Sequence, residues 1–146
     1  MFEYLRKFRE HFPGRKFFQL TDKIYEIKNL NDAWKKVKSN KGCAGIDKQS
    51  ISDFQKQSEM HLKEIQRVVK NGTYEPMPTL RRLIPKGDNK YRPLGIPTVK
   101  DRILQQATKN VIEEIFEMKF LDCSYGYRPN KSAHQAVEQI KKYVHQ

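Results

Sequence analysis

The chain has 146 residues, enough for one domain of ordinary size, and its 37% hydrophobic content excludes wholesale disorder. It carries 29 lysines and arginines against 17 aspartates and glutamates, and the net charge of +12 favours a polyanionic partner, nucleic acid first and an anionic membrane surface second. Two cysteines without metal-ligand spacing indicate free thiols rather than a zinc site, and no apolar run reaches the ~20 residues of a membrane span.

The first predicted element is a basic amphipathic helix over residues 2–12, which ends at Pro13-Gly14. Its apolar side chains recur at helical spacing among arginines and lysines, at Phe2, Leu5, Phe8 and Phe12. Such a helix docks on its own domain, lies on a membrane or contacts RNA, and the pattern leaves all three open.

Two further helices are predicted over about residues 30–39 and 57–71, with the glycine-containing stretch "SNKGCAGID" between them. Gly72 is the expected terminator of the later helix. The stretch between them is only a weak candidate for a phosphate-binding loop, because no strand precedes it. The side chains expected to face the core are Leu30, Ala33, Trp34, Val37, Leu62, Ile65, Val68 and Val69.

A β-hairpin is predicted next, over residues 79–96, where "TLRRLI" and "YRPLGI" flank "PKGDNK". Pro93 lies inside the second run and cannot donate a ladder hydrogen bond, so this strand should be an edge or carry a bulge. Arg81 and Arg82 are neighbours in a strand, so they should point to opposite faces.

A long helix is predicted from Thr98 to about residue 118, because Thr98 and Asp101 resemble a capping box. Its expected apolar stripe consists of Ile103, Leu104, Ala107, Val111, Ile115 and Phe116. Ser132 and Gln135 form a second capping box before a last helix, whose apolar positions are Ala133, Ala136, Val137, Ile140 and Val144.

The positive charge is concentrated in residues 81–109, which hold eight cations and two anions, a net charge of +6. A solvated face usually interleaves the two signs, so this pattern favours a polyanion site over a chance cluster. Lys86 and Lys90 flank the expected hairpin tip, and Arg92 offers a planar bidentate donor on the return strand. In principle these three residues form a clamp for a triphosphate.

Four stretches carry a close resemblance to a known family, in order and in separation: "NLNDAWKKVKSNKGCAGID", "NGTYEPMPTLRRLIPKGDNKYRPLGIP", the long helix ending in "IFEMKF", and "SYGYRPNKSAHQA". They resemble the reverse transcriptases, also called maturases, that group II introns encode. Over residues 29–146 the resemblance implies an α+β fold, with helices around a small antiparallel hairpin. This would be the fingers and the beginning of the palm of a right-hand polymerase, incomplete in the palm. Residues 1–28 match nothing comparable and are expected to form an N-terminal extension.

The resemblance also implies roles for single residues. Lys86 and Arg92 would hold the triphosphate of the incoming deoxynucleotide, in agreement with the clamp above. "NKGCAGID" would be a lid loop whose glycines let the backbone lie against the template. From the resemblance or from the charge pattern, the residues expected to contact nucleic acid are Lys41, Gly42, Gly45, Arg81, Arg82, Lys90, Lys100, Arg102, Arg128 and Lys131.

The family's two-metal chemistry needs aspartates in a later strand and in a Tyr-x-Asp-Asp turn, and neither motif occurs in these residues. We therefore expect no catalytic residue, metal or cofactor in this chain alone, although Mg²⁺ and deoxynucleoside triphosphates are implied for a parent enzyme. A parent enzyme would be an RNA-directed DNA polymerase, and we expect this chain alone to be inactive because those aspartates are absent from it. The implied partners are an RNA template, an RNA/DNA duplex and group II intron RNA, in the bacterial cytoplasm and not at a membrane. A homodimer stays open.

Two alternatives remain at this point. One is a module that binds intron RNA and supports splicing without polymerase activity. The other is a membrane-surface protein that uses the basic first helix.

Overall fold

The structure, a computed structural model, describes residues 20–87 and 90–144. The predicted basic helix over residues 2–12 and the Asp88-Asn89 tip of the hairpin lie outside the described residues. The described chain divides into two compact units, one that extends to Val111 and one that begins at Ile112. Each unit is described by itself below.

The described residues form six helices and one antiparallel pair of strands, as the predicted α+β class requires. In chain order these are α1 (Leu20–Ile24), α2 (Ile27–Ser39), α3 (Ile51–Lys56), α4 (Ser58–Lys70), β1 (Leu80–Gly87), β2 (Lys90–Ile96), α5 (Val99–Glu117) and α6 (Ala133–Val144). Within the described residues, no helix combines the length and the apolarity needed to cross a membrane.

The core of the first unit is built by α2, α3, α4 and the first half of α5. All four residues predicted to face inward from α2 are buried, and so are two of the four from α4, while Val69 packs against the core with partial burial. The buried apolar residues are Leu30, Ala33, Trp34, Val37, Phe54, Leu62, Ile65, Val99, Ile103 and Ala107.

The short helix α3 was not predicted, although it supplies a central core side chain. Ser50 caps it, because its hydroxyl oxygen accepts a hydrogen bond from the backbone N–H of Asp53 at 3.1 Å. The Phe54 ring is fully buried, 4.7 Å from the Trp34 ring and 4.8 Å from the His61 ring between centroids. The segment has only six residues and two apolar side chains, Ile51 and Phe54, so sequence reasoning assigned no helix to it.

Helix α4 ends as its sequence predicts. Gly72 adopts a left-handed backbone with φ of 68° directly after Asn71, the C-cap residue of the helix. The backbone N–H of Thr73 donates to the carbonyl of Val68 at 3.0 Å, and the N–H of Gly72 donates to that of Val69 at 3.1 Å. These two bonds form a Schellman motif, in which glycine avoids the steric cost of a positive φ.

The predicted hairpin is confirmed. Leu80 pairs with Ile96 at its base and Gly87 pairs with Lys90 near its tip. The register shifts between Pro85 and Gly87, so β1 carries a bulge there. The described sheet has only these two strands, which makes both of them edge strands, as the position of Pro93 predicts.

The second unit contains the end of α5 and helix α6. The predicted capping box is confirmed: the Gln135 side chain accepts from the N–H of Ser132 at 2.8 Å, and the Ser132 hydroxyl accepts from the N–H of Gln135 at 3.3 Å. The apolar residues of both helix segments are partly buried or exposed. Phe116 is 53% exposed, and α6 contains no buried residue among those described.

We predict that Phe54→Ala lowers the free energy of unfolding by about 3–5 kcal/mol, because a fully buried ring would leave a cavity between Trp34 and His61. Urea denaturation would measure the change. Met60→Ala is the matched control, since that side chain is 56% exposed and its loss should stay within about 0.5 kcal/mol. Equal losses for the two variants would contradict the assigned core.

Candidate nucleotide and nucleic-acid interface

The register of the hairpin determines which of its cations share a face. Arg82 lies opposite Leu94, and Arg92 lies opposite Ile84, so Arg82 and Arg92 point to the same side of the sheet. Lys90 is two residues before Arg92 on β2 and shares that side. Arg81 points to the other side, which confirms the predicted separation from Arg82.

Lys86 occupies the bulge and has no partner across the ladder. Side chains in a regular strand alternate between the two faces of the sheet, and a bulge interrupts this alternation. The direction of the Lys86 side chain is therefore not fixed by its position in the strand. The next residue, Gly87, has φ of 92°, a conformation that favours glycine. Lys86 thus precedes Gly87, the residue that pairs with Lys90 across the tip of the hairpin.

The hairpin cations are exposed and available to a ligand. Lys86, Lys90 and Arg92 are all exposed, and within residues 20–87 and 90–144 no ion pair engages any of them. By contrast, the basic side chains of Lys56, Lys63 and Arg67 in the helices each pair with a carboxylate three or four residues away. Positive charge at the hairpin therefore has no internal compensation in the described chain.

Residues 40–47, called the glycine loop from here on, lie against the start of α5. A Cβ at position 45 would lie 2.7 Å from Cα of Thr98 and 3.0 Å from the carbonyl carbon of Pro97. Gly45 is buried, and its missing side chain is what allows this backbone contact. The structure thus gives Gly45 a role inside the protein, and its predicted contact with a template stays a prediction.

The first turn of α5 is fixed by a buried polar cluster. The Thr98 hydroxyl accepts from the N–H of Asp101 at 3.2 Å and donates to the Asp101 carboxylate at 2.6 Å. The Tyr74 hydroxyl, from the extended segment before β1, also donates to that carboxylate. The pKa of Tyr74 is raised well above its usual value, mainly by burial and to a smaller extent by this hydrogen bond. Thr98 is therefore the N-cap of α5, as predicted. The carboxylate of Asp101 accepts hydrogen bonds from the hydroxyl groups of Thr98 and Tyr74.

The structure does not bring the two predicted template contacts of α5 together. Lys100 and Arg102 are two residues apart, a spacing that places helical side chains on different sides. Lys100 lines an open groove of about 1020 Å³ beside the start of α4. The pKa of His61 in this groove is lowered, mainly by burial and to a smaller extent by the positive charge of Lys100. Arg102 instead faces the glycine loop, where it donates to the carbonyl of Cys43 at 2.7 Å. Lys41, in the same loop, is exposed.

In the second unit, Arg128 is committed to contacts within the protein. Its side chain is 8% exposed, and Nε and Nη2 donate to the Glu117 carboxylate at 3.0 and 2.7 Å. Nη1 donates to the carbonyls of Leu121 and Ser124, and the guanidinium lies 5.2 Å from the Phe120 ring centroid. The guanidinium of Arg128 thus connects the loop that contains it to the end of α5. Because its donors are used within the protein, we leave Arg128 out of the proposed nucleic-acid surface.

The neighbouring loop residues differ from Arg128 in exposure. The ammonium of Lys131 lies 5.2 Å from the ring centroid of Tyr125, a cation–π contact that leaves the charge half-exposed. Tyr127 is fully exposed and adopts φ of 56°. Lys131 therefore stays a predicted phosphate contact in this unit.

The described carboxylates do not fit a metal centre. Among residues 20–87 and 90–144, no three His, Cys, Asp or Glu side chains lie close enough to hold an ion. Asp101 is engaged by two hydroxyl donors, and Asp53 by Ser50 and Lys56. We derive no metal-dependent step from these residues.

Comparison with known proteins gives consistent matches. Residues 84–146 match the family model described as "Reverse transcriptase (RNA-dependent DNA polymerase)". The chain is 41% identical to the Group II intron-encoded protein LtrA of Lactococcus lactis over 113 residues, which are 75% of this chain and 18% of LtrA. It is 34% identical to Protein YkfC of Escherichia coli over 88% of this chain and 34% of that protein. The Putative COX1/OXI3 intron 2 protein of Saccharomyces cerevisiae is 28% identical over 82% of this chain and 14% of its own length. The chain thus spans from about a seventh to a third of these relatives.

We predict that Gly45→Ala lowers the free energy of unfolding by about 1–3 kcal/mol, because the added Cβ meets backbone atoms that cannot rotate away. Gly126→Ala is the matched control, since its Cβ would meet nothing within 4 Å. The measurement is urea denaturation of both variants. A neutral or stabilising Gly45→Ala would show that the glycine loop does not rest on Thr98.

We predict a pH-dependent contribution from the ion pair of Glu117 and Arg128. The hydrogen bonds and charge of Arg128 hold the pKa of Glu117 below its usual 4.5. The ion pair therefore stabilises the fold fully at pH values above the pKa that Glu117 has in the unfolded chain. This stabilisation is lost as the pH falls through the lower pKa that Glu117 has in the folded chain. Unfolding midpoints of the wild type and Glu117→Gln should therefore converge on acidification. Parallel curves for Glu117→Gln would contradict the assignment.

Proposed function

The chain carries part of a reverse transcriptase domain related to the proteins that group II introns encode, and on this premise we propose that it grips the incoming nucleotide and the RNA template of such an enzyme. The observation that carries the proposal is the hairpin tip, where exposed cations have no ion-pair partner within the described chain. Lys86, Lys90 and Arg92 all lie within residues 84–146, the range of the family match.

The nucleotide role rests on complementary charge and geometry. Mutual repulsion between Lys86, Lys90 and Arg92 is relieved when a polyanion lies between them. A triphosphate chain presents several acceptor oxygens close together, to which Arg92 offers a planar fork and the two lysines offer point charges. The bulge at Lys86 lets this side chain turn toward the ligand from the opposite strand.

The RNA role rests on the charge distribution around the hairpin. Residues 81–109 hold a net charge of +6, half of the excess of the whole chain. Arg82 and Lys90 extend the cationic face of the hairpin, and Lys41 adds an exposed charge on the glycine loop. Release of counterions from RNA phosphates drives such binding and makes it sensitive to salt. The proposed partners are a template, an RNA/DNA duplex and intron RNA.

Phosphoryl transfer is not assigned to any described residue. Reverse transcriptases use metal ions and deoxynucleoside triphosphates, and in this proposal the described residues bind and orient the nucleotide and the template. Two of the relatives come from bacteria, which supports a place among RNA-bound proteins of the bacterial cytoplasm.

We predict that Lys86→Ala and Arg92→Ala each weaken binding of a deoxynucleoside triphosphate to the protein–RNA complex by about tenfold, the effect of one charge-assisted hydrogen bond. The measurement is a titration of labelled nucleotide with and without a template–primer duplex in Mg²⁺-containing buffer. The control is Lys28→Ala, which removes the same charge from an exposed position on α2.

The same variants distinguish the proposal from a module that only binds intron RNA. If RNA binding persists in both hairpin variants and no nucleotide binds to the wild type, the nucleotide role is wrong and the RNA-binding alternative is favoured. If Lys28→Ala weakens nucleotide binding as much as the hairpin variants do, the effect is one of general charge and the clamp is wrong.

A further inference from the structure

The side chain of Arg102 joins two backbone segments that are far apart in sequence. Its Nη2 donates to the carbonyl of Cys43 in the glycine loop at 2.7 Å. Its Nε approaches the carbonyl of Thr98, one helical turn earlier, at 3.4 Å. Arg102 is only half-exposed. The guanidinium therefore lies between α5 and the loop, with its donors directed at carbonyl oxygens of the protein.

The glycine at position 42 is what makes room for this contact. A Cβ there would lie 2.2 Å from Nη1 of Arg102, a distance that non-bonded atoms do not reach. The guanidinium thus occupies the space that a side chain at position 42 would fill. Three residues later, Gly45 rests on the backbone of Thr98, where an added Cβ would meet backbone atoms.

We propose that Arg102 is a positioning residue, a latch that holds the glycine loop closed on the first turn of α5. In this arrangement the loop presents Lys41 in a fixed place, and RNA phosphates are not bound by Arg102 itself. The part concerning RNA rests on the proposed function, whereas the part concerning the loop stands on the contacts above. The assignment differs from the direct template contact that the sequence resemblance implies for this residue.

Three substitutions separate a latch from a phosphate contact. Arg102→Ala removes both the charge and the hydrogen bonds. Arg102→Lys keeps the charge for a phosphate, but a single ammonium cannot reproduce the fork between the carbonyls of Cys43 and Thr98. Gly42→Ala keeps the arginine and displaces its side chain, because the clash is with the flexible end of Arg102.

The first measurement is hydrogen–deuterium exchange of the 146-residue protein without RNA, followed by mass spectrometry. In all three variants, amide exchange in peptides covering residues 41–48 should rise by about three- to tenfold, the range open to one lost hydrogen bond. Peptides from α4 serve as the internal control of folding and should exchange as in the wild type. Arg102→Ala combined with Gly42→Ala should add little to either single change.

The second measurement is the salt dependence of binding to a labelled single-stranded RNA. A latch predicts that the slope of log affinity against log salt is unchanged in all three variants. The fold-loss of RNA affinity should not exceed the fold-increase in amide exchange of the glycine loop. A direct phosphate contact instead predicts that Arg102→Ala alone lowers the slope by about 0.7. That outcome, or loop exchange that matches the wild type in the Arg102 variants, would overturn the proposal. If the wild type binds no RNA, the proposed function fails, and the exchange experiment still decides whether Arg102 is a latch.

Discussion

Several segments of the first unit meet at the start of α5, and the position of each depends on one buried carboxylate. Asp101 is 5% exposed, and its charge is tolerable there because two hydroxyl groups donate to it. One comes from Thr98, at the junction between β2 and α5, and the other from Tyr74, in the segment before β1. The same carboxylate thus ties down the chain on both sides of the hairpin.

This anchoring fixes the base of the hairpin and leaves the residues toward its tip exposed. Its base lies beside Thr98, which is 1% exposed, while the cations toward its tip are exposed. A two-stranded ribbon alone is marginally stable, so attachment at the base is what keeps the cations of the tip in a defined arrangement. The glycine loop rests on the same junction through Gly45. The start of α5 therefore positions both the proposed nucleotide clamp and the loop that carries Lys41.

Local sequence signals predicted most of the secondary structure. Helix α2, the end of α4 at Gly72, the start of α5 at Thr98 and the capping box at Ser132 all follow from interactions within about five residues. The hairpin followed from its turn residues, but its bulge did not, because a register shift depends on both strands. Helix α3 was missed because its six residues contain a single apolar i, i+3 pair, Ile51 and Phe54, which is too short a pattern to establish a period.

The site was less predictable, because its contacts join distant parts of the sequence. Charge and resemblance predicted a site at the hairpin cations, and the structure shows these side chains exposed. The same signals assigned Arg102 and Arg128 to nucleic acid, yet Arg102 bonds to a carbonyl 59 residues away, and Arg128 pairs with Glu117, 11 residues away. An arginine is an equally good donor to RNA and to its own protein, and its sequence neighbourhood does not distinguish the two. The glycines at positions 42 and 45 were the one available sign of close packing.

The central claim, that the hairpin tip is where this protein meets phosphates, is tested most directly by acetylation footprinting of its lysines. The protein would be modified with and without a template–primer duplex and a deoxynucleoside triphosphate, and the modified residues identified by mass spectrometry. The account predicts strong protection of Lys86 and Lys90, with Lys28 and Lys70 modified equally in both samples. Unchanged modification of Lys86 and Lys90, in a sample where other lysines become protected, would contradict it.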